Sequence, residues 1–196
     1  MERPSPDPAT LRDAASALRA GGLVAFPTET FYGLGAAALS ADAVRRVFAV
    51  KGRPESKPLL LLIDSVAMLD IVASHIPPAA HPLMARHWPG PLTLIVPARD
   101  TLPEALTAGT GTVGVRLPAH PVARALVAAL GEPVTAPSAN PSGAPPPTTA
   151  AEVLAHFDGL IDVVLDGGPT PGGEPSTIVD VTVDPPRILR QGAVLL

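Results

Sequence analysis

Leu59-Leu60-Leu61-Leu62-Ile63 carries no polar residue along its length. A strand with one face in water alternates apolar and polar side chains, whereas a strand covered on both faces does not. The run therefore predicts a central, buried strand in a sheet flanked by helices. Immediately upstream, Ser40 is placed to cap a helix whose inner face is Ala43, Val44, Val47, Phe48 and Val50. That helix delivers the chain to Lys51-Gly52-Arg53-Pro54-Glu55-Ser56-Lys57-Pro58. From Arg45 to Lys57 five basic residues stand against one acid, a local charge of 5 − 1 = +4, in a chain whose formal net charge is −4. A compact cationic island in an acidic protein suits a small anion better than a long polyanion, which needs basic charge spread over a face.

On the N-terminal side, Asp7-Pro8 followed by Leu11, Ala14, Ala15 and Leu18 predicts a capped helix closed by Gly21-Gly22. Leu23 to Phe26 reads as a short buried strand that empties into a polar, glycine-punctuated loop, Pro27 to Gly35. On the C-terminal side, Asp64 is placed to cap a helix to about Ser74, and a further helix falls between Pro78 and His87. Leu92 to Val96 and an alternating Thr112 to Leu117 read as strands. Pro121 to Leu130 is an amphipathic helix stopped by Gly131. Pro133 to Ala136 is a strand running into Pro137-Ser138-Ala139-Asn140, and Ala150 to Phe157 is helical. Strands follow at Asp162 to Leu165, Ser176 to Val181 and Arg187 to Leu189, with a loop of four glycines from Gly167 to Pro175. Interleaved helices and strands make the class α/β with a mixed sheet, and ligands in such folds sit in loops beyond strand ends.

Composition narrows the chemistry. With 196 residues the chain suits one domain with a sizeable core, built from Ala, Val and Leu because aromatics are only 3%. The absence of cysteine excludes disulfides, thiol catalysis and Cys-based metal sites. No apolar run approaches the roughly 20 residues of a membrane span, and Met1 to Pro6 lacks a secretory h-region, so a cytoplasmic location with no membrane contact is the default. The five histidines show no metal-site spacing, and neither a Walker A sequence nor a Gly-x-Gly-x-x-Gly fingerprint occurs. Ser138 has no Gly-x-Ser-x-Gly elbow, which excludes that hydrolase reading.

Within the island, Pro54 and Pro58 lower the cost of holding Lys51, Arg53 and Lys57 together, and Lys and Arg bind phosphate as point charge and fork. Arg45 and Arg46 are read instead as a solvated helix surface favoured by the C-terminal dipole. Thr28-Glu29-Thr30 offers hydroxyls and a carboxylate at a strand end, or simply a satisfied turn. Pro137 to Asn140 equally fits a turn or a nest of donors for phosphate or adenine. Arg187 and Arg190, three apart, face opposite ways on one strand, so only one meets an interior cleft.

Taken together, Pro-Thr-Glu-Thr-Phe-Tyr-Gly-Leu-Gly (27–35), Lys-Gly-Arg-Pro-Glu-Ser-Lys-Pro-Leu (51–59), Trp-Pro-Gly-Pro-Leu-Thr (88–93), Gly-Val-Arg-Leu-Pro (114–118), Ala-Pro-Ser-Ala-Asn-x-Ser-Gly (136–143), Ser-Thr-Ile-Val-Asp (176–180) and Leu-Arg-Gln-Gly (189–192) resemble the YrdC/Sua5 family of threonylcarbamoyl-AMP synthases. The resemblance implies a single-domain twisted mixed sheet over 1–196, with its core about 8–193 after a short flexible N-terminal segment, and a cleft at strand ends. It resembles the short form without the extra C-terminal domain. It implies formation of threonylcarbamoyl-adenylate and pyrophosphate from L-threonine, bicarbonate or CO₂ and ATP, with Mg²⁺ carried by ATP and no protein metal site. Downstream proteins would pass the group to adenosine 37 of tRNA, which this chain meets only indirectly or weakly. By the same resemblance Thr30, Arg116, Ser138 and Ser176 line the threonine pocket. Arg53, Lys57, Thr112, Asn140, Thr148 and Arg190 hold ATP, and Lys51 and Arg53 stabilise charge without any covalent nucleophile. Leu62 departs from the His that many members carry before the Ile at 63. The alternatives are a carbamoyl-adenylate-type transfer enzyme and a non-enzymatic RNA-binding module, the latter disfavoured by acidic charge and few aromatics.

Overall fold

A computed structural model describes residues 7–196; the N-terminal segment expected to be flexible lies, as far as Pro6, outside them. Helix α1 (Pro8–Arg19) leads into β1 (Val24–Pro27) and β2 (Tyr32–Gly35), then α2 (Ala41–Lys51) and β3 (Leu60–Leu62). A 3₁₀ turn (Val66–Met68) and α3 (Leu69–Val72) precede α4 (Ala80–His87), β4 (Leu92–Pro97), α5 (Glu104–Thr107) and β5 (Thr112–Arg116). The chain closes with α6 (Pro121–Leu130), β6 (Val134–Thr135), α7 (Ala150–Phe157), β7 (Val163–Val164), β8 (Thr177–Asp180) and β9 (Arg187–Arg190).

The mixed α/β architecture is the expected one, with its strands in two hydrogen-bonded groups. Three strands run in the order β2-β1-β7, and six in the order β6-β3-β5-β4-β8-β9. The predicted interior strand β3 is flanked on both sides, parallel to β5 and antiparallel to β6, and Leu61 and Leu62, whose side chains point to opposite faces of the sheet, are both fully buried. Backbone bonds stitch the two groups where β2 meets β6: Thr135 donates to Ala36 and Leu34 donates to Pro137. β5 is buried on both faces from Val113 onward, so the alternation read from its sequence does not correspond to a solvent face. Helix α1 packs on α6, and Leu18, Leu126 and Leu130 are all buried in the core.

Several local readings change for identifiable reasons. Asp7 stands at the N-cap of α1 but makes no side-chain cap bond. Asp64 does not start a helix: its carboxylate accepts from the Ser65 hydroxyl at 2.7 Å, and the four-residue α3 ends at Ala73, which is extended and bridged to Ala98. Tertiary pairing overrides propensity there. The largest difference is Tyr32 to Gly35, part of the expected loop, which pairs antiparallel with β1. The glycines in it are packing devices, since a Cβ on Gly35 would stand 2.8 Å from both Phe26 Cε1 and Val134 Cγ1. Gly35→Ala is therefore expected to cost about 1–3 kcal/mol through overpacking. Chemical denaturation checks this, and an unchanged midpoint would show that Phe26 and Val134 yield freely.

Candidate functional site

The tip of the β1–β2 hairpin is a rigid turn. The Thr28 hydroxyl donates to the Phe31 carbonyl at 2.7 Å, the Thr30 amide donates to Thr28 Oγ1 at 3.2 Å, and the two hydroxyls lie 3.0 Å apart. Outside contacts hold it: Tyr32 donates its amide to Pro147 at 3.0 Å, and the Gly172 amide donates to Thr30 at 2.8 Å. Tyr32 also donates its hydroxyl to the Gly168 carbonyl at 2.8 Å, tying the glycine loop to the hairpin. Burial, reinforced by the charge of Asp166, pushes that phenol up to about 12, so it remains a neutral donor.

Beside this tip, Arg116 ends β5. Its side chain is 4% exposed and forms an ion pair with Glu29, Nη2 lying 2.7 Å and Nε 3.2 Å from the same carboxylate oxygen, Oε1. The other carboxylate oxygen, Oε2, is buried without a hydrogen bond, and Nη2 itself makes none of good geometry.

The 137–140 turn is held from below by Lys51. Helix α2 buries Val44, Val47, Phe48 and Lys51 on one stripe, which turns this ammonium inward. Its Nζ donates to the carbonyls of Ser138 and Asn140, and the Ser142 amide returns a 2.7 Å bond to the Lys51 carbonyl. Burial, followed by the nearby charge of Arg53, pushes the amine down to about 8. The Asn140 amide is equally constrained. Its Nδ2 donates to Pro141 at 2.9 Å and Ala144 at 2.7 Å, which assigns Oδ1 as a buried acceptor without a partner.

Arg53 donates to the carbonyls of Lys57 and Pro58, which curl its own segment around it, and burial holds its guanidinium below the usual range. Arg190 at the end of β9 donates through Nε and Nη2 to the Ser176 carbonyl, at 3.0 and 2.7 Å, and through Nη2 to the Ser176 hydroxyl at 3.1 Å. Burial, then the charge of Arg116, lowers Arg190. Ser176 Oγ meets Thr93 Oγ1 at 2.9 Å.

These elements enclose a cleft of about 510 Å³. Thr30, Arg53, Arg116, Ser138, Asn140, Ser176 and Arg190 line it, so side chains far apart in sequence come together there. Lys51, Lys57, Thr112 and Thr148 are not in its lining. Lys51 is buried beneath the turn, Lys57 is exposed, Thr112 meets the Thr110 hydroxyl at 3.0 Å, and Thr148 donates to Glu152 at 3.2 Å. Arg187, the other arginine of its strand, lies 3.8 Å from Asp180 with 69% of its side chain exposed. Three arginines thus face a lining that contains no carboxylate.

The Sua5_yciO_yrdC family model, described as "Telomere recombination", matches residues 16–192. The chain belongs to the Sua5/YciO/YrdC family. It is 48% identical over 186 residues to threonylcarbamoyl-AMP synthase of Pyrococcus abyssi, which covers 95% of this chain and 55% of that protein. It is 39% identical over 182 residues to threonylcarbamoyl-AMP synthase of Pseudomonas putida, covering 93% and 97% respectively. The crystal structure of P. abyssi Sua5 complexed with L-threonine matches with a TM-score of 0.90 at 49% identity, covering 93% of this chain and 54% of that one. The chain spans about half the length of the first curated relatives it matches.

In this Sua5/YciO/YrdC member, the motifs assign no role to Thr93 and offer Glu29 only as a carboxylate at a strand end. Thr93 is the one polar residue in the apolar run Leu92 to Val96, and that break was the available clue. Leu62 lines the cleft as a fully buried apolar wall. Among the described residues, no group of three or more His, Cys, Asp or Glu could hold a metal ion, and no helix is long and apolar enough to cross a membrane.

Proposed function

We propose that this chain makes threonylcarbamoyl-adenylate and pyrophosphate from L-threonine, bicarbonate or CO₂ and ATP. One observation carries the reading: a single cleft holds Arg116 among the hydroxyls of Thr30, Ser138 and Ser176, and within the same walls holds Arg53, Asn140 and Arg190. The first set suits a hydroxy amino acid, and the second a nucleotide triphosphate. A relative 49% identical to this chain has a structure with L-threonine.

The chemistry asks for no protein nucleophile. Threonine's amine bonds to CO₂ and loses a proton, giving a carbamate. A carbamate oxygen then attacks the α-phosphorus, and the bond to the departing pyrophosphate breaks. Arg116 would grip the substrate carboxylate, and Thr30 or Ser176 would accept or donate at its hydroxyl, Leu62 offering no polar contact. Arg53 and Arg190 would neutralise charge on the phosphates, so that catalysis rests on positioning and electrostatics. Lys51 would act through the turn it supports. Contacts from Lys57, Thr112 and Thr148 belong to the same proposal and require the nucleotide to extend past the cleft lining. Mg²⁺ would arrive on the phosphates of ATP. In this reading the chain is one domain with its core at about 8–193, working in the cytoplasm without membrane contact. Other proteins take the unstable adenylate to adenosine 37 of tRNA.

Purified protein is expected to release pyrophosphate only when L-threonine, bicarbonate and ATP are all present. A coupled pyrophosphate assay with single omissions checks this, and equal turnover without threonine would sink the reading.

A further inference from the structure

Glu29 stands between Thr28 and Thr30, both of which line the cleft, yet it is itself turned behind the lining and onto Arg116. Its carboxylate approaches Arg116 from the side, through Nε and Nη2 onto one oxygen. A guanidinium engaged side-on keeps its end-on Nη1/Nη2 fork for a second planar anion. The backbone that carries Glu29 cannot drift, because the threonines on either side close a tight turn and Gly172 and Pro147 tie it to neighbouring loops. Glu29 therefore fixes the plane of the Arg116 guanidinium, while Nη2, buried without a well-formed hydrogen bond on a residue that lines the cleft, keeps donor capacity for a ligand.

The charge matters as much as the geometry. Arg53, Arg116 and Arg190 line one cleft, and the charge of Arg116 already helps to lower Arg190. Among the described residues, the ion pairs of these three arginines comprise only the one between Arg116 and Glu29. A highly charged phosphate is drawn to whichever cations lack a counter-charge. Arg116, neutralised by Glu29, is a poor seat for such an anion but still a good fork for a monoanionic carboxylate, whereas Arg53 and Arg190 keep full charge.

We infer that Glu29 is a positioning and specificity residue that reserves Arg116 for the amino-acid carboxylate and confines polyphosphate to the Arg53 and Arg190 side of the cleft. This rests on the proposed threonine and ATP chemistry. It gives a role to a partly buried acid that otherwise contributes only an ion pair.

The test is calorimetric titration of L-threonine and, separately, inorganic pyrophosphate into wild type and Glu29→Gln. Glu29→Gln is expected to bind L-threonine at least 10-fold more weakly and pyrophosphate at least 3-fold more tightly, and pyrophosphate should now compete with threonine, as it does not in wild type. A merely structural role would weaken both ligands together, so a parallel loss overturns the inference, as does threonine affinity within about 2-fold of wild type. If Glu29→Gln fails to fold, Glu29→Asp replaces it. That variant keeps the charge but shortens the reach, and is expected to lose threonine affinity while leaving pyrophosphate unchanged; unchanged threonine affinity overturns the inference. Wild type that binds no L-threonine at all would instead defeat the functional reading on which it stands.

Discussion

Lys51→Met is expected to lower the melting temperature by about 10 °C at pH 7, more than a surface lysine could account for. The ammonium donates to two carbonyls of the 138–140 turn, and the residue is 3% exposed, so water does not replace those bonds in the variant. Each buried acceptor left unmade costs about 1–3 kcal/mol, and relief from desolvating a charge returns part of that. A net loss of about 3 kcal/mol follows, and a chain of this size loses about 2–4 °C per kcal/mol. The pH dependence distinguishes this strut from an exposed cation. The folded amine titrates at about 8, below the ordinary 10.5, so across that window the unfolded chain binds the extra proton and Lys51 contributes more stability as pH rises. Methionine removes that contribution. The melting-temperature gap between wild type and variant should widen from pH 8 toward pH 10.5, and a gap that narrows would show that Lys51 is held mainly by its charge.

Elements with several concordant local features were readable without any structure. Helix α6 has Pro121 at its first turn, an apolar stripe and Gly131 in the left-handed conformation at its end, and its sequence bounds match its observed ones. Helix α2 has a Ser40 hydroxyl that accepts the Ala43 amide. The buried β3 was equally plain, because its reading needed only the absence of polar residues. Where one residue type serves two physical ends, sequence misled. Glycines punctuate loops and also admit aromatic rings between strands, and at Gly35 the ring of Phe26 decides the matter. An aspartate before an apolar stretch caps helices, yet Asp64 spends its carboxylate on the neighbouring hydroxyl.

The cationic island was visible as charge but not as three different environments. Proximity in sequence treats Lys51, Arg53 and Lys57 alike, whereas the fold buries the first, curls the second into the cleft wall and leaves the third in solvent. The helical period carried that information, since Lys51 follows Val47 by four and Phe48 by three along the buried stripe. The pairing of Glu29 with Arg116 had no such local trace. It joins a hairpin tip to a strand end 87 residues away, and only the β1–β2 hairpin and the end of β5 arriving at one cleft create it.

Arg116→Ala is expected to reduce threonine-dependent pyrophosphate formation by about 10³-fold in kcat/KM while ATP binding persists. On the proposed chemistry the guanidinium supplies the main charged contact to the substrate carboxylate, and loss of a desolvated, hydrogen-bonded charge costs about 4 kcal/mol, equivalent to that factor. The variant also leaves Glu29 without its ion-pair partner, an uncompensated carboxylate just behind the cleft lining, so repulsion of the incoming carboxylate adds to the lost attraction. Arg116→Ala combined with Glu29→Gln should therefore recover about 10-fold of the loss, because it removes the orphaned charge without restoring the fork. Arg116→Lys keeps a cation but cannot engage Glu29 side-on and a ligand end-on at once, and should fall between the two. Steady-state kinetics with threonine and ATP varied in turn separates these outcomes. If Arg116→Ala leaves the KM for threonine within about 3-fold of wild type, the carboxylate is bound elsewhere and both the assignment of Arg116 and the positioning role of Glu29 fall together.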